Sequence, residues 1–419
     1  MTGPFYRSPR TGDYAERWAF TAVVRGAGQH GRVTRRSGAV LAVLALVTGC
    51  SGQGSPQPQG NAPAAGKAPA LKVEVVTAGL EHGWDVGFLP DGKALLTQRP
   101  GKLTLLSGTT PGAVATEVRA DFSDLFAQSE GGLMSLLVHP SFATNRRFVT
   151  CQTTRADTRL VTWRLSEDGT SAERTGDLLT GIPVSSGRHS GCRMELAGDG
   201  SLLVGTGDAA RADSAQDRGG LGGKVLRIDM ETGGPAPGNP FAASANPRER
   251  LLWTFGHRNV QGLARRPGTD QVFSVEHGPD VDDEVNLVRA GGNYGWDPSR
   301  GGTVGGYDED VPMTDLRRFP DAVTAKWSSG SPTEALCGAA FLSGPIWGDL
   351  DGTLAVTALK GSKLVLFSLD PEGAVRQVST PAELNDTHGR LRAARLGPDG
   401  ALYVTTSNGA DDKLLRVSR

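Results

Sequence analysis

Aromatic residues make up only 6 % of the chain, cysteine occurs four times, and the formal charge is −1 over 419 residues. Each shortage excludes something. Four cysteines are too few to staple a chain of this length, so a disulfide-built scaffold is ruled out. Near-zero net charge argues against nucleic acid as the main partner. No apolar run reaches the length a helix needs to cross a bilayer. Zinc-ligand spacings, a phosphate-cradling glycine loop ahead of a helix and a Gly-x-Ser-x-Gly elbow are all missing. The usual nicotinamide and flavin folds are excluded as well. What is plentiful is glycine (58) and proline (25), spread without helical periodicity. That favours many short strands joined by turns, and all-β chains of this length commonly form one domain.

The first seventy residues read as a leader rather than as fold. Arg32, Arg35 and Arg36 precede an apolar run from Gly38 to Val47, of signal-peptide length. The run ends in Val47-Thr48-Gly49-Cys50, similar to a bacterial lipobox with Cys50 as the lipid-bearing residue. A plain signal peptide with an incidental Cys50 is the alternative. Residues 1–31 carry no export signal of their own, which leaves the translation start open. Residues 51–70 are rich in Gly, Pro, Ala and Gln and read as a flexible tether. The expected organisation is a leader over 1–50, a tether over 51–70 and a folded domain over 71–419. The expected location is the outer face of the cytoplasmic membrane, reached by export and held by lipid.

Three cysteines remain beyond the leader. Export permits a disulfide. Cys151 and Cys192 fall in consecutive repeats and form the favoured pair, with Cys337 left over; three buried thiols are the alternative.

One unit recurs six times: an apolar strand, a tight turn, then a second apolar strand. The copies begin at Gly83, Gly131, Gly191, Arg258, Gly338 and Gly389, and close near Gln98, Gln152, Asp208, Gly278, Lys360 and Gly409. Asp-Gly between alternating apolar runs is a strong hairpin signal. Six hairpins, with room for two further strands each, predict an all-β six-bladed propeller of four-stranded antiparallel blades. A seventh, degenerate copy is the alternative.

In an antiparallel hairpin the start of the first strand and the end of the second share one edge. One face of the disk therefore gathers Gln98, Arg99, Glu130, His189, Asp208, Arg258, Asn259, Gln261, Gly278, Lys360, Arg390 and Arg392. Arg258, Lys360, Arg390 and Arg392 come from three blades. Crowded cations imply an anionic ligand or balancing acids, and arginine suits planar carboxylates; local strut-like ion pairs are the competing account. His189 opens a strand whose partner ends in Asp208. A carboxylate beside an imidazole orients the ring, as in a general base, although a lone histidine is more often structural. The acidic stretch from Glu276 to Glu284 suits a hard cation such as calcium or reads as a solvated loop.

Several strings together resemble the PQQ-dependent soluble aldose (glucose-type) sugar dehydrogenases. They are Gly256-His257-Arg258-Asn259-Val260-Gln261-Gly262-Leu263, Glu276-His277-Gly278-Pro279, Asp282-Asp283-Glu284-Val285-Asn286-Leu287 and Gly292-Asn293-Tyr294-Gly295-Trp296. The third repeat with His189, Arg193 and Gly205-Thr206-Gly207-Asp208 is similar too, as are residues 221–229, Ala358-Leu359-Lys360-Gly361 and Gly389-Arg390-Leu391-Arg392. The likeness spans nearly all of residues 75–417. It implies that His189 removes the proton of the anomeric hydroxyl, that Asp208 orients it, and that hydride passes from sugar C1 to the quinone. Arg258 would stabilise charge at the quinone oxygens. Asn259, Lys360, Arg390 and Arg392 would hold the cofactor, with Gln261 supporting that shell and Glu130 placed beside it. The carbonyls of Gly278 and Pro279 would hold a calcium ion that also binds the cofactor. Glu284 and the Tyr294 carbonyl match a second, structural calcium position.

Departures stand beside the likeness. Glu130 replaces a glutamine and brings a negative charge near the cofactor; Arg188 replaces an acid before His189. The stretch from Pro332 to Gly338 is unlike the family's usual Ile-Ala-Pro-Ser-Gly. Long insertions that cover the substrate are expected to be absent. The alternatives are a surface lipoprotein propeller that binds a ligand without catalysis and a calcium-dependent lactonase-type propeller. The last would place carboxylates around the channel, where this sequence places cations. The sugar, the electron acceptor and the choice between monomer and dimer are open at this level.

Overall fold

A computed structural model describes residues 64–65, 70–299 and 306–419. The leader, Cys50 and most of the tether lie outside these residues. Six antiparallel sheets of four strands follow one another in chain order. The blades open with the inner strands Gly83–Phe88, Leu133–Val138, Gly191–Leu196, Val260–Arg265, Leu336–Phe341 and Leu391–Leu396. These inner strands pack side by side around one axis.

The hairpins form where the turn chemistry demands them. In blade 1 the residues Pro90-Asp91-Gly92 close a turn in which Leu89 N–H bonds the Lys93 carbonyl at 2.8 Å. Gly92 sits at φ 84°, as do Gly200 at φ 84° and Gly400 at φ 78° in the equivalent turns of blades 3 and 6. That left-handed backbone favours glycine. Strand residues alternate between the two neighbouring blades, so each gap fills with its own apolar layer.

The sixth blade shows how the ring closes. Its hairpin is followed by one strand, Asp412–Ser418. Strand Lys72–Leu80 therefore comes from the other end of the domain and pairs with Asp412–Ser418, from Lys72 opposite Ser418 to Leu80 opposite Asp412. The repeat pattern did not foresee this, because it is a pairing between chain ends. Ala64–Ala65 runs parallel to the outer strand of blade 5, opposite Gln377 and Val378. An outer edge carries unpaired backbone groups that such a segment can satisfy.

The axis is filled by charge. Asp85, fully buried, accepts hydrogen bonds from Arg395 Nη2 at 2.8 Å and Ser135 Oγ at 2.8 Å and pairs its charge with Arg193 Nη1 at 2.9 Å. Arg193 lies over the Trp84 ring at 4.2 Å and donates Nε–H to the Gln261 carbonyl at 2.9 Å. Five inner strands are thus tied together, all but that of blade 5. Cys151 of blade 2 and Cys192 of blade 3 are joined by a disulfide, and Cys337 is free and buried.

Candidate active site

The third hairpin brings its two ends together, and glycine makes this possible. A Cβ on Gly207 would collide with the His189 carbonyl, and one on Gly191 with the backbone of Thr206 and Gly207. His189, Ala209 and Ala210 take positive φ of 51°, 57° and 52°. Such strain in non-glycine residues persists only where the surroundings hold it. The result is a hydrogen bond of 2.8 Å between His189 Nδ1 and Asp208 Oδ1. The carboxylate can only accept, so Nδ1 carries the proton of this bond, and in the neutral ring Nε2 holds the lone pair.

Asp208 is fully buried and its oxygens are crowded with donors. Oδ1 also takes the Ala210 N–H at 2.7 Å; Oδ2 takes Trp296 Nε1–H at 2.8 Å and the Tyr307 hydroxyl at 2.6 Å. Burial pushes the Asp208 carboxyl up, but the bonds and charge of His189, the Tyr307 hydroxyl and Arg258 outweigh it and hold the group below the usual carboxylate range.

Blade 4 supplies the next residues. Asp208 N–H bonds the Arg258 carbonyl at 2.9 Å, and Gly207 pairs with Asn259, which sets Arg258 beside the His189–Asp208 pair. The Arg258 guanidinium lies 5.6 Å from the Trp296 ring centre and donates to the His277 carbonyl at 3.1 Å. It is not a bare cation, as the crowding of charges suggested. Glu309 binds its Nη2 at 2.5 Å and also receives Arg188 at 3.0 Å. Burial works against the Glu309 charge, yet the two arginines hold its carboxyl below the ordinary range. Arg188, foreseen only as a departure, thus has a counter-charge.

Trp296, Tyr307 and Glu309 all come from the connection 288–326 between the third and fourth strands of blade 4. The connection reaches across to blade 3, where Trp296 and Tyr307 bond Asp208 and Tyr307 lies against His189. Trp296 stood in a quoted motif without a role. Tyr307 and Glu309 had no signal at all, since neither strand period nor repeat reaches them.

The floor gathers Glu130, Asn259, Gln261 and Arg392. Glu130 Oε2 accepts Asn259 Nδ2–H at 2.9 Å and Gln261 Nε2–H at 3.3 Å, while Arg392 donates to Gln261 Oε1 at 3.4 Å. Burial opposes the Glu130 charge, but His189, His277 and Asn259 hold its carboxyl below the ordinary value. Burial and the charges of Arg258 and Arg392 push the His277 imidazole down to about 3, against Glu130. Lys360 is exposed and donates to Thr333 at 3.3 Å; Arg390 is exposed beside Arg392. Burial and the charges of Arg392 and Arg390 lower Arg99 in turn, which is the signature of a cationic mouth. Gln98 does not join it: its amide turns away to Thr104 and to the Glu81 N–H.

The candidate metal positions differ in character. Gly278 is buried and its N–H bonds Asp283, while no hydrogen bond among the described residues ends on the carbonyls of Gly278 or Pro279. Glu284 is held by Asn286 at 3.1 Å and Thr314 at 3.1 Å, and Asn286 also bonds Glu276 at 2.9 Å. Burial and the Glu276 charge push the Glu284 carboxyl up to about 8. The Tyr294 ring stacks on His257 at 4.3 Å. Among the described residues, no three acidic, histidine or cysteine side chains are grouped to hold a metal ion.

The sequence profile of the glucose/sorbosone dehydrogenase family matches residues 80–416. The chain belongs to that family. The aldose sugar dehydrogenase YliI of Escherichia coli is 30 % identical over 360 residues, covering 84 % of this chain and 94 % of that protein. The quinoprotein glucose dehydrogenase B of Acinetobacter calcoaceticus is 30 % identical over 252 residues, covering 53 % of this chain and 50 % of that protein. Among solved structures, the PQQ-bound aldose sugar dehydrogenase of Streptomyces coelicolor is 27 % identical with a TM-score of 0.67, covering 84 % of this chain and all of that one. Family membership makes this chain an oxidoreductase acting on sugars. The His189–Asp208 pair and the cationic mouth lie within the matched span.

Proposed function

We propose that the chain oxidises aldose sugars at C1 to lactones, with PQQ and calcium as cofactors. The observation that carries this reading is a buried, carboxylate-oriented imidazole opening beside Arg258 in a mouth with surplus positive charge. Arg99, Arg188, Arg258, Arg390 and Arg392 face Glu130, Asp208 and Glu309, which leaves about two positive charges over at neutral pH. PQQ is a tricarboxylate. The fit has a local counterpart: Arg258 Nε and Arg392 Nε are buried without a hydrogen-bond partner among the described residues. Such donors are costly unless a ligand takes them. The free carbonyls of Gly278 and Pro279 suit a hard cation.

When bound, PQQ supplies a two-electron acceptor and calcium a Lewis acid that polarises it. The chain supplies the rest. His189 takes the proton of the C1 hydroxyl at Nε2, and Asp208 stabilises the imidazolium that results. Arg258 stabilises negative charge where the sugar is oxidised. Lys360, Arg390 and Arg392 hold carboxylates, and Asn259 and Gln261 orient the planar group from the floor. Glu284 and the Tyr294 carbonyl offer a second calcium position. The enzyme works outside the cytoplasmic membrane, anchored through Cys50. The lipobox-like string and a disulfide suited to an oxidising compartment support that location.

The test is reconstitution of the mature domain with PQQ and calcium, followed by dye reduction with a panel of aldoses. Sugar-dependent reduction that needs both additions and disappears in His189→Ala supports the reading. Binding of PQQ without oxidation of any aldose would leave a ligand-binding propeller instead.

A further inference from the structure

Tyr307 closes a ring of hydrogen bonds around the base. Its hydroxyl donates to Asp208 Oδ2 at 2.6 Å, and its oxygen lies 3.2 Å from His189 Nδ1, within reach of the same N–H that Asp208 Oδ1 accepts at 2.8 Å. Three side chains from two blades thus share one proton-bearing nitrogen and one carboxylate. The Tyr307 ring centre lies 6.0 Å from that of His189 and 6.3 Å from that of Trp296, so the phenol is wedged between the imidazole and the indole. Two residues on, Glu309 ties the same stretch to Arg258 and Arg188.

We propose that Tyr307 is a positioning residue for His189, setting both the orientation of the imidazole and the charge that Asp208 presents to it. This rests on His189 being the base of the proposed reaction. The physical argument concerns shared charge. A hydroxyl donating to Oδ2 draws negative charge away from the oxygen facing Nδ1–H. The imidazolium is then stabilised less than by a bare aspartate. The second contact, from Nδ1 to the phenol oxygen, limits rotation of the ring about its bond to Asp208. Other charged or titratable groups facing the pair are Glu130, His277, Arg188, Arg258 and Glu309, with Lys224 behind Asp208.

Tyr307→Phe keeps the ring and removes the hydroxyl. The first readout needs no cofactor: the His189 imidazole is followed by nitrogen-edited NMR against pH in the mature domain. Its midpoint is expected to move up by about half a unit to one unit in the variant. With PQQ and calcium added, the acid limb of kcat moves to higher pH by the same amount, and kcat on its plateau falls about tenfold. Glu309→Gln, which loosens the loop's other anchor and leaves the phenol in place, is the control; it removes a negative charge facing the pair, so its midpoint should move down, opposite to Tyr307→Phe. An unchanged midpoint in Tyr307→Phe overturns the proposal. Equal shifts in the two variants also overturn it, since loop anchoring alone then explains the effect. If the midpoint moves as expected but no aldose is oxidised, the positioning role stands and the proposed reaction fails separately.

Discussion

Replacing Asp208 by Asn keeps the shape of the side chain and removes its charge, at a carboxylate that receives four hydrogen bonds. An amide has one acceptor oxygen, so two of those donors must meet an NH2 group. With the oxygen kept toward His189 and Ala210, the Tyr307 hydroxyl can turn and accept. The Trp296 indole N–H cannot, and a buried donor without a partner costs about 1–3 kcal/mol. Loss of the charge-assisted part of the His189 bond adds about 1 kcal/mol. The expected destabilisation is therefore about 2–4 kcal/mol, read as a lower urea midpoint with unchanged slope. The effect on rate is larger than the effect on stability. The imidazolium loses its counter-charge, and removing the same charge behind other catalytic histidines lowers kcat by about 10⁴. Dye-linked sugar oxidation should fall by about 10³- to 10⁴-fold with little change in KM. A kcat within about threefold of wild type, accompanied only by the stability loss, would refute the assignment of Asp208 as the partner of a base.

Glu130→Gln keeps an oxygen for the Asn259 and Gln261 amides and removes a negative charge from the floor. PQQ should bind about 5- to 30-fold tighter, from about 1–2 kcal/mol of relieved repulsion, as measured by titration of the mature domain. Asp85 gives the pH dependence of folding. Burial pushes its carboxyl up, but Arg395 and Arg193 hold it at about 2 against an ordinary 3.8. A lowered carboxylate stabilises the fold above its unfolded pKa, and the contribution is lost as pH falls through the folded one. About 2 kcal/mol should therefore vanish between about pH 4 and pH 2. Asp85→Asn should abolish that part of the acid transition and cost about 3–5 kcal/mol at pH 7, because two buried guanidinium groups lose their partner. Replacing Cys151 and Cys192 together by Ser should lower stability by about 3–4 kcal/mol, since the bridge closes a separation of 41 residues. Reductant should bring wild type to the same urea midpoint.

The amino-acid sequence by itself determined the six hairpins, and with them the propeller, the face that carries the site, and the pairing of His189 with Asp208. These follow from local rules: turn residues at fixed offsets and strand alternation place the two ends of one hairpin side by side whatever the rest of the chain does. The approach of Arg390 and Arg392 to one another was legible for the same reason, since both stand at the start of the sixth hairpin. Closure of blade 6 by Lys72–Leu80 was not legible, because pairing between distant segments leaves no periodic trace. Nor was the role of Glu130, whose partners on blade 4 appear only when the inner strands are set around the axis. Tyr307 and Glu309 belong wholly to the tertiary structure. Their connection has no repeat to fix its path, so where it lands depends on the buried Asp208 carboxylate and the Arg258 guanidinium needing partners.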